Sequence, residues 1–239
     1  MVVHEQNAVP GFTNRVLKSF ASKILEALPN TFTASSKITC TGNPVRKEVL
    51  AVEAPELRYS KRSGALRVLV IGGSQGALAL NKKVPEALKM VDAPLEVVHQ
   101  CGKRWLTDTQ NRYQGCEHNV QIKEFIEDMA DVYGWADIII CRSGAMTVAE
   151  VAAVGIASIL IPYPAAVDDH QTANGAFLVN AGAAILIQES DVKADELAQQ
   201  LQSMDRDHLK RMACDARRVA RRDATERVVE VLTAEKVAA

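Results

Sequence analysis

The sequence predicts an α/β protein whose main domain is a doubly wound parallel sheet, and three observations carry that expectation. From Arg67 onward short apolar runs alternate with helical patterns, six such units follow one another, and a glycine turn joins the first run directly to its helix. The runs are "RVLVI" followed by 77–90, "LEVVHQ" by 103–114, "VQIK" by 127–134, "DIIIC" by 144–154, "SILIP" by 170–181 and "AAILI" by 192–202. Strands buried on both faces read as continuous apolar runs, and strand–helix units in series build a parallel sheet with helices on either side. The expected domain covers 66–204. Beyond it, 205–239 is charged, alanine-rich and helical in pattern, with Arg217, Arg218, Arg221 and Arg222 expected on a solvated face.

Composition removes several function classes. A chain of 239 residues, 48% hydrophobic and 24% charged, is long enough to bury one large core or two small ones. Its 28 basic and 29 acidic residues leave a net charge of −1, which gathers neither nucleic acid nor an anionic membrane. The five cysteines contain no C-x-x-C pair, which argues against a zinc or redox motif and for buried thiols in a reducing cytosol. No apolar run approaches the roughly 18 residues of a spanning helix, and the start lacks the regions of a signal peptide, so a cytosolic chain is expected.

Residues 1–66 depart from the strand–helix plan. "MVVHEQN" reads as a strand end, Gly11 to Leu28 as one amphipathic helix, and "KITCTGNP" as a short strand. Two strands and a helix cannot close a core, so 1–52 is expected to be the remnant of a second domain and 53–65 a polar linker. An extra layer on the main domain is the alternative.

The turn "GGSQG" at 72–76 is where chemistry is expected. A nucleoside-triphosphate loop needs Gly-Lys-Ser/Thr, but Gly76 is followed by Ala77 and Leu78. A dinucleotide fingerprint needs G-x-G-x-x-G, and Ile71 stands where its first glycine belongs. The acidic residue such sites carry on the second strand is missing as well, because that strand ends in His99-Gln100. What remains is Gly73, Ser74, Gln75 and Gly76 at a helix N-terminus, whose free N–H groups and hydroxyl suit a diphosphate without a metal.

A second small-residue turn, Arg142-Ser143-Gly144, follows "DIIIC" on the same edge of the expected sheet and opens a helix carrying Glu150. A carboxylate there has acceptors for both hydroxyls of a ribose. Asp168, Asp169, His170, Gln171 and Asn174 form a polar loop suited to a sugar, with a metal site as the weaker alternative.

"HEQNAVPGFTNR", "TGNPVR", "VIGGSQGALALN", "EFIEDMADVYGWADIIICRSGAMTVAE" and "DDHQTANG" together resemble the UDP-N-acetylglucosamine transferases of peptidoglycan synthesis, which convert lipid I to lipid II. The resemblance spans nearly the whole chain. It implies a GT-B type glycosyltransferase with a complete C-terminal domain, a remnant of the N-terminal acceptor-binding domain, and C-terminal helices packing back toward that domain. It further implies an inverting hexosyl transfer from UDP-N-acetylglucosamine to the lipid-linked muramyl-pentapeptide, without cofactor, metal or nucleic acid, at the cytoplasmic face of the plasma membrane.

Residue by residue, the resemblance implies that Ser74 touches the diphosphate, that Arg46 reaches the nucleotide sugar, and that the backbone of Ile126 meets the uracil. The segment Ala145, Met146, Thr147, Val148, Ala149 and Glu150 is implied to embrace phosphate and ribose. Gln171 and Asn7 are implied sugar contacts, and His170 stands where some relatives have a second glutamine. The "GGTGGH"-like loop of these enzymes has no counterpart here, so the general base, much of the acceptor surface and the membrane-facing patch are expected outside the chain. A donor-binding module without turnover and a UDP-sugar epimerase of the same fold are the competing expectations.

Overall fold

In the computed structural model, which describes residues 1–237, the strands form two separate parallel sheets. The first comprises β1 (Val2–Glu5), β2 (Lys23–Glu26) and β3 (Ile38–Cys40), in that spatial order, with Val3 opposite Ile24 and Leu25 opposite Thr39. Between β1 and β2 runs the short helix α1 (Phe12–Leu17).

The single helix expected from Gly11 to Leu28 is therefore corrected. Apolar residues in that stretch satisfy helical spacing, but the backbone groups of β1 and β3 need partners, and the chain at 23–26 supplies them as the middle strand. Burial agrees, since Ile24 and Leu25 are buried while Phe12 and Phe20 stay exposed. The expectation that this segment cannot close a core is corrected too, because Val3, Ala21, Ile24 and Phe32 form a small one.

The second sheet holds β4 (Leu66–Ile71), β5 (Leu95–Gln100), β6 (Asn119–Lys123), β7 (Ile138–Cys141), β8 (Ala157–Leu160) and β9 (Ala184–Leu186). Its spatial order is β6-β5-β4-β7-β8-β9, the doubly wound arrangement expected. The intervening helices are α4 (Leu78–Leu88), α5 (Leu106–Arg112), α6 (Met129–Trp135), α7 (Ala145–Val154) and α8 (His170–Asn180), with α9 (Ala194–Ser203) after β9.

Two-residue periodicity divides each central strand between two cores. Val68, Val70, Ile138 and Ile140 pack with residues of α4 and α9, whereas Leu69, Ile71, Ile139 and Cys141 pack with residues of α6 and α7. Each such side chain, fully buried, is worth about 1.5–3 kcal/mol, so the sheet needs both helix layers.

Two short helices, α2 (Lys47–Leu50) and α3 (Pro55–Ser60), connect the sheets. The segment 53–65, expected to be a polar linker, instead carries α3 with Arg58 and Tyr59 buried. Arg58 donates to the carbonyls of Val154 and Gly155 at 3.0 and 2.6 Å, which turns a charged residue into the cap of α7. The Tyr59 hydroxyl donates to the Asp137 carbonyl. The Asp137 carboxylate, fully buried, accepts from Arg62, from Arg206 at 3.3 Å and from the Arg67 N–H at 3.0 Å.

The tail forms α10 (Arg206–Val219) and α11 (Ala224–Val237). Its arginines are not a simple solvated face. Arg217 donates to the carbonyls of Val52 and Val154 at 3.4 and 3.2 Å, and Arg222 donates to that of Leu50. Arg221 lies over Gly42, where φ is +86° and a Cβ would come within 2.4 Å of the Arg221 Cβ. Farther along, Ser22 donates to Glu235 at 2.5 Å, so the tail touches the first sheet's segment. All five cysteines are free, and Cys101 and Cys141 are buried.

Removing one partner of a buried ion pair leaves the other charge uncompensated. Asp137→Ala is expected to lower unfolding free energy by about 3–5 kcal/mol, read from urea denaturation, because Arg62 then stays buried without its counter-ion.

Candidate functional site

The spatial order of the second sheet reverses between β4 and β7, and ligands of open α/β sheets bind outside the carboxyl ends at such a point. Ile71 pairs with Cys141 there, so 72–77 and 142–144 leave the sheet side by side. Both turns lead into helices of ten or more residues, α4 and α7. The first intrahelical bonds run from Asn81 N–H to the Ala77 carbonyl and from Val148 N–H to that of Gly144. The N–H groups ahead of them make no bond within their own helix and mark the positive helix ends.

The glycine turn owes its shape to a close approach of two backbones. Gly76 has φ +72°, and a Cβ on it would sit 2.0 Å from the Cys101 carbonyl oxygen. Gly102, at φ +84°, packs against Gly76 from the other side. Only residues without a side chain allow that contact.

His99 and Gln100, which the sequence offered only as the absence of an acidic residue, brace the turn from opposite faces of β5. Asn81 donates to the Cys101 carbonyl at 3.0 Å, so its own oxygen faces His99 Nε2 at 3.0 Å. Nε2 therefore carries the proton, and Nδ1 accepts from the Tyr113 hydroxyl at 2.8 Å. Burial holds the His99 imidazole neutral, with its pKa lowered to about 3. On the other face Gln100 donates to the carbonyls of Gly73 and Glu124 at 3.0 and 3.1 Å, tying the glycine turn to the loop that carries Ile126.

Arg46, Gly73, Ser74 and Ile126 open into one cavity of about 230 Å³, to which Gln100 also contributes. Arg46 reaches out of it to Glu150 at 3.2 Å, and the other Glu150 oxygen accepts from Tyr133 at 2.9 Å. Gln75, Gly76 and Gln171 line a second, larger cleft of about 450 Å³ across the turn, together with Arg142 and Tyr163. The Arg142 guanidinium stacks 5.5 Å from the Tyr163 ring and pairs with Glu189. Gln171 itself accepts from the Tyr163 N–H at 2.9 Å, and His170 is half-buried beside it.

Within 145–150 the structure separates roles. Val148 is buried in the core, and Ala145 and Ala149 face Gly42 and Asn43 of the first segment. Met146 is exposed, and Glu150 faces Arg46.

Asn7 belongs to a polar seam that joins the first segment to this crevice. Its side-chain oxygen accepts from Asn174 at 3.1 Å, and Asn174 also donates to the Ser143 carbonyl at 3.3 Å and accepts from the Ala8 N–H at 2.7 Å. Asn43 spans the same seam, donating to the carbonyls of Gln6 at 3.0 Å and Ala145 at 3.5 Å. Behind Asn7 the Glu5 carboxylate accepts the N–H groups of Asn7 and Gly11 and the amides of Asn7 and Asn14. Burial pushes the Glu5 pKa up, but these hydrogen bonds outweigh it and hold the group below its ordinary value.

Asp168 pairs with Arg15 at 3.2 Å and Asp169 accepts from Thr172 at 2.7 Å, both aspartates at positive φ. Among the described residues no group of three His, Cys, Asp or Glu is disposed to hold a metal ion.

Sequence reasoning missed Glu5, Asn43, Tyr133, His99 and Gln100 as parts of the site. Asn43 and Glu5 sit inside the quoted motifs "TGNPVR" and "HEQN", which was the available signal. The partners of Tyr133, His99 and Gln100 are set by packing alone.

A doubly wound domain with a crevice of this kind, joined by a polar seam to a second parallel sheet, has the architecture of the C-terminal part of a GT-B type glycosyltransferase. The model for the Glycosyltransferase family 28 C-terminal domain matches residues 67–228, and the chain belongs to that family. It is 50% identical over 234 residues to a UDP-N-acetylglucosamine--N-acetylmuramyl-(pentapeptide) pyrophosphoryl-undecaprenol N-acetylglucosamine transferase of Marinobacter nauticus, covering 96% of this chain and 64% of the relative. The transferase of the same name from Acinetobacter baylyi is 50% identical over 238 residues, covering 97% and 65%. The crystal structure of Acinetobacter baumannii MurG superimposes with a TM-score of 0.89 at 43% identity, over 97% of this chain and 66% of that one. The chain thus spans just under two thirds of the length of these relatives.

Two outcomes follow from the turn and its brace. Gly76→Ala forces a Cβ into the Cys101 carbonyl at a positive φ, and a lowered urea-unfolding midpoint is expected, with the second sheet still folded by circular dichroism. His99 is neutral when folded, with a pKa of about 3 against about 6.5 unfolded, so between those values the unfolded chain binds the extra proton. Stability is fully present above pH 6.5 and falls on acidification toward pH 3, and His99→Gln is expected to flatten that part of the urea-midpoint profile.

Proposed function

We propose that the crevice holds UDP-N-acetylglucosamine and that the reaction it serves is transfer of N-acetylglucosamine to a lipid-linked muramyl-pentapeptide, converting lipid I to lipid II. The observation that carries the reading is that Arg46, Ser74 and Ile126, far apart in sequence, open into one cavity, from which Arg46 reaches Glu150. The names of the relatives at 50% identity support the choice of donor and acceptor.

In this reading the uracil lies against the backbone at Ile126, the ribose on Glu150, and the diphosphate between the glycine turn and the N-terminus of α7. The sugar points toward Gln171 and Asn7. The 4-hydroxyl of the muramyl sugar attacks the anomeric carbon, the bond from that carbon to the diphosphate oxygen breaks with inversion, and the hydroxyl proton passes to a general base. The chain's own work is to orient the donor and to stabilise the charge that grows on the departing UDP. Free N–H groups at two helix ends and the fixed fork of Arg46 supply that stabilisation. Among the described residues no helix is long and apolar enough to cross a membrane, and a peripheral position at the cytoplasmic face completes the proposal.

Calorimetry with UDP-N-acetylglucosamine tests donor binding, which is expected to persist in excess chelator. Arg46→Ala is expected to weaken it about tenfold to a hundredfold, the range for a lost hydrogen bond to a charged group. Transfer is measured with a lipid I analogue, on the chain alone and joined to the remaining third of the Marinobacter relative; transfer by neither would overturn the reading.

A further inference from the structure

Tyr133 is 1% exposed and sits in the core between the sheet and α6, where a phenylalanine of nearly the same volume would pack equally well. Its hydroxyl nevertheless points at a carboxylate, Glu150 Oε2, at 2.9 Å. Burial holds that hydroxyl protonated well above the ordinary phenol range, so it acts as the donor. The other oxygen, Oε1, accepts from Arg46 at 3.2 Å, and the Arg46 side chain is 55% exposed while that of Glu150 is 13% exposed. One partner of the carboxylate is thus rigid and buried, and the other is a long side chain at the surface.

A carboxylate offers about four lone-pair sites. Tyr133 and Arg46 use two, which leaves two, one on each oxygen, for a pair of vicinal hydroxyls. Without the phenol the carboxylate is free to turn, and the geometry a guanidinium prefers with a carboxylate is a two-pronged pair that consumes both oxygens. Arg46 would then cover the acceptors that the hydroxyls need.

We propose that Tyr133 is a positioning residue for ribose recognition: its hydroxyl holds the Glu150 carboxylate in the orientation that leaves acceptors for both ribose hydroxyls and prevents Arg46 from closing over them. The proposal rests on the reading that Glu150 meets the ribose of a uridine nucleotide. It assigns a role in discrimination, distinct from any contribution of Tyr133 to packing.

The test is a comparison of two probes, UDP and 2′,3′-dideoxy-UDP, bound to the full chain and to Tyr133→Phe by calorimetry. The unaltered chain is expected to favour UDP by about tenfold or more, and Tyr133→Phe to cut that preference about threefold to tenfold, by weakening UDP while leaving the dideoxy probe unchanged. Equal weakening of both probes, or an unchanged preference, overturns the proposal and leaves the ribose reading standing. No preference in the unaltered chain overturns the ribose reading itself, and the proposal with it. Should Tyr133→Phe lose its cooperative melt, 3-fluorotyrosine placed at position 133 keeps the volume and makes the phenol a stronger donor. A changed UDP preference then supports the proposal, and an unchanged one overturns it.

Discussion

The pairing of β4 with β7 is the constraint on which the rest depends. Because the chain returns to the middle of the sheet after building β5 and β6 on one side, consecutive halves of the sheet wind in opposite directions from that pair. The turns after Ile71 and Cys141 then diverge toward helices on opposite faces, and the gap between them cannot be filled by either helix. Two helix N-termini border that gap with backbone donors unspent. An anionic ligand is what such a gap accommodates at least cost.

Holding the gap open in a defined shape requires polar groups in places where apolar ones would pack more simply. His99, Asn81 and Tyr113 are buried, yet every hydrogen-bonding atom of the chain they form reaches a partner, ending on the Cys101 carbonyl against which Gly76 rests. A network satisfied in this way specifies one geometry, because any shift leaves a buried donor or acceptor unpaired. Gln100 extends the same control across the sheet, so the glycine turn and the loop that carries Ile126 are placed by one side chain.

The small first sheet is attached to the crevice by polar contacts and to the rest of the molecule by arginines. Asn7, Asn43 and Asn174 bond to one another's segments and to the turn at Ser143, while Arg46 reaches Glu150. A seam of hydrogen bonds and one exposed ion pair can be exchanged for ligand contacts at modest cost, which an apolar interface could not be. Asp137 and its arginines sit at the opposite end of the sheet, buried and multiply bonded, and supply the fixed end against which such adjustment takes place.

The sequence by itself determined the second sheet almost to the residue, because its central strands, buried on both faces, are apolar runs and each strand is followed by a helix in the chain. It determined the two turns as well, since glycine and small residues at a helix start have a local backbone cause. Only the tertiary structure decided that 23–26 is a strand, because its apolar spacing also fits a helix and the choice lies with the unpaired edges of β1 and β3. The same holds for the helix at 55–60 and the residues just after it, where Arg58 and Arg62 look solvated until Val154, Gly155 and Asp137 are seen to receive them. The bracing of the site by Tyr133, His99 and Gln100 was decided there too. A side chain's own type shows that it can donate or accept, but which atom lies opposite is set by residues 14 to 27 positions away, and that proximity exists only once the sheet has formed.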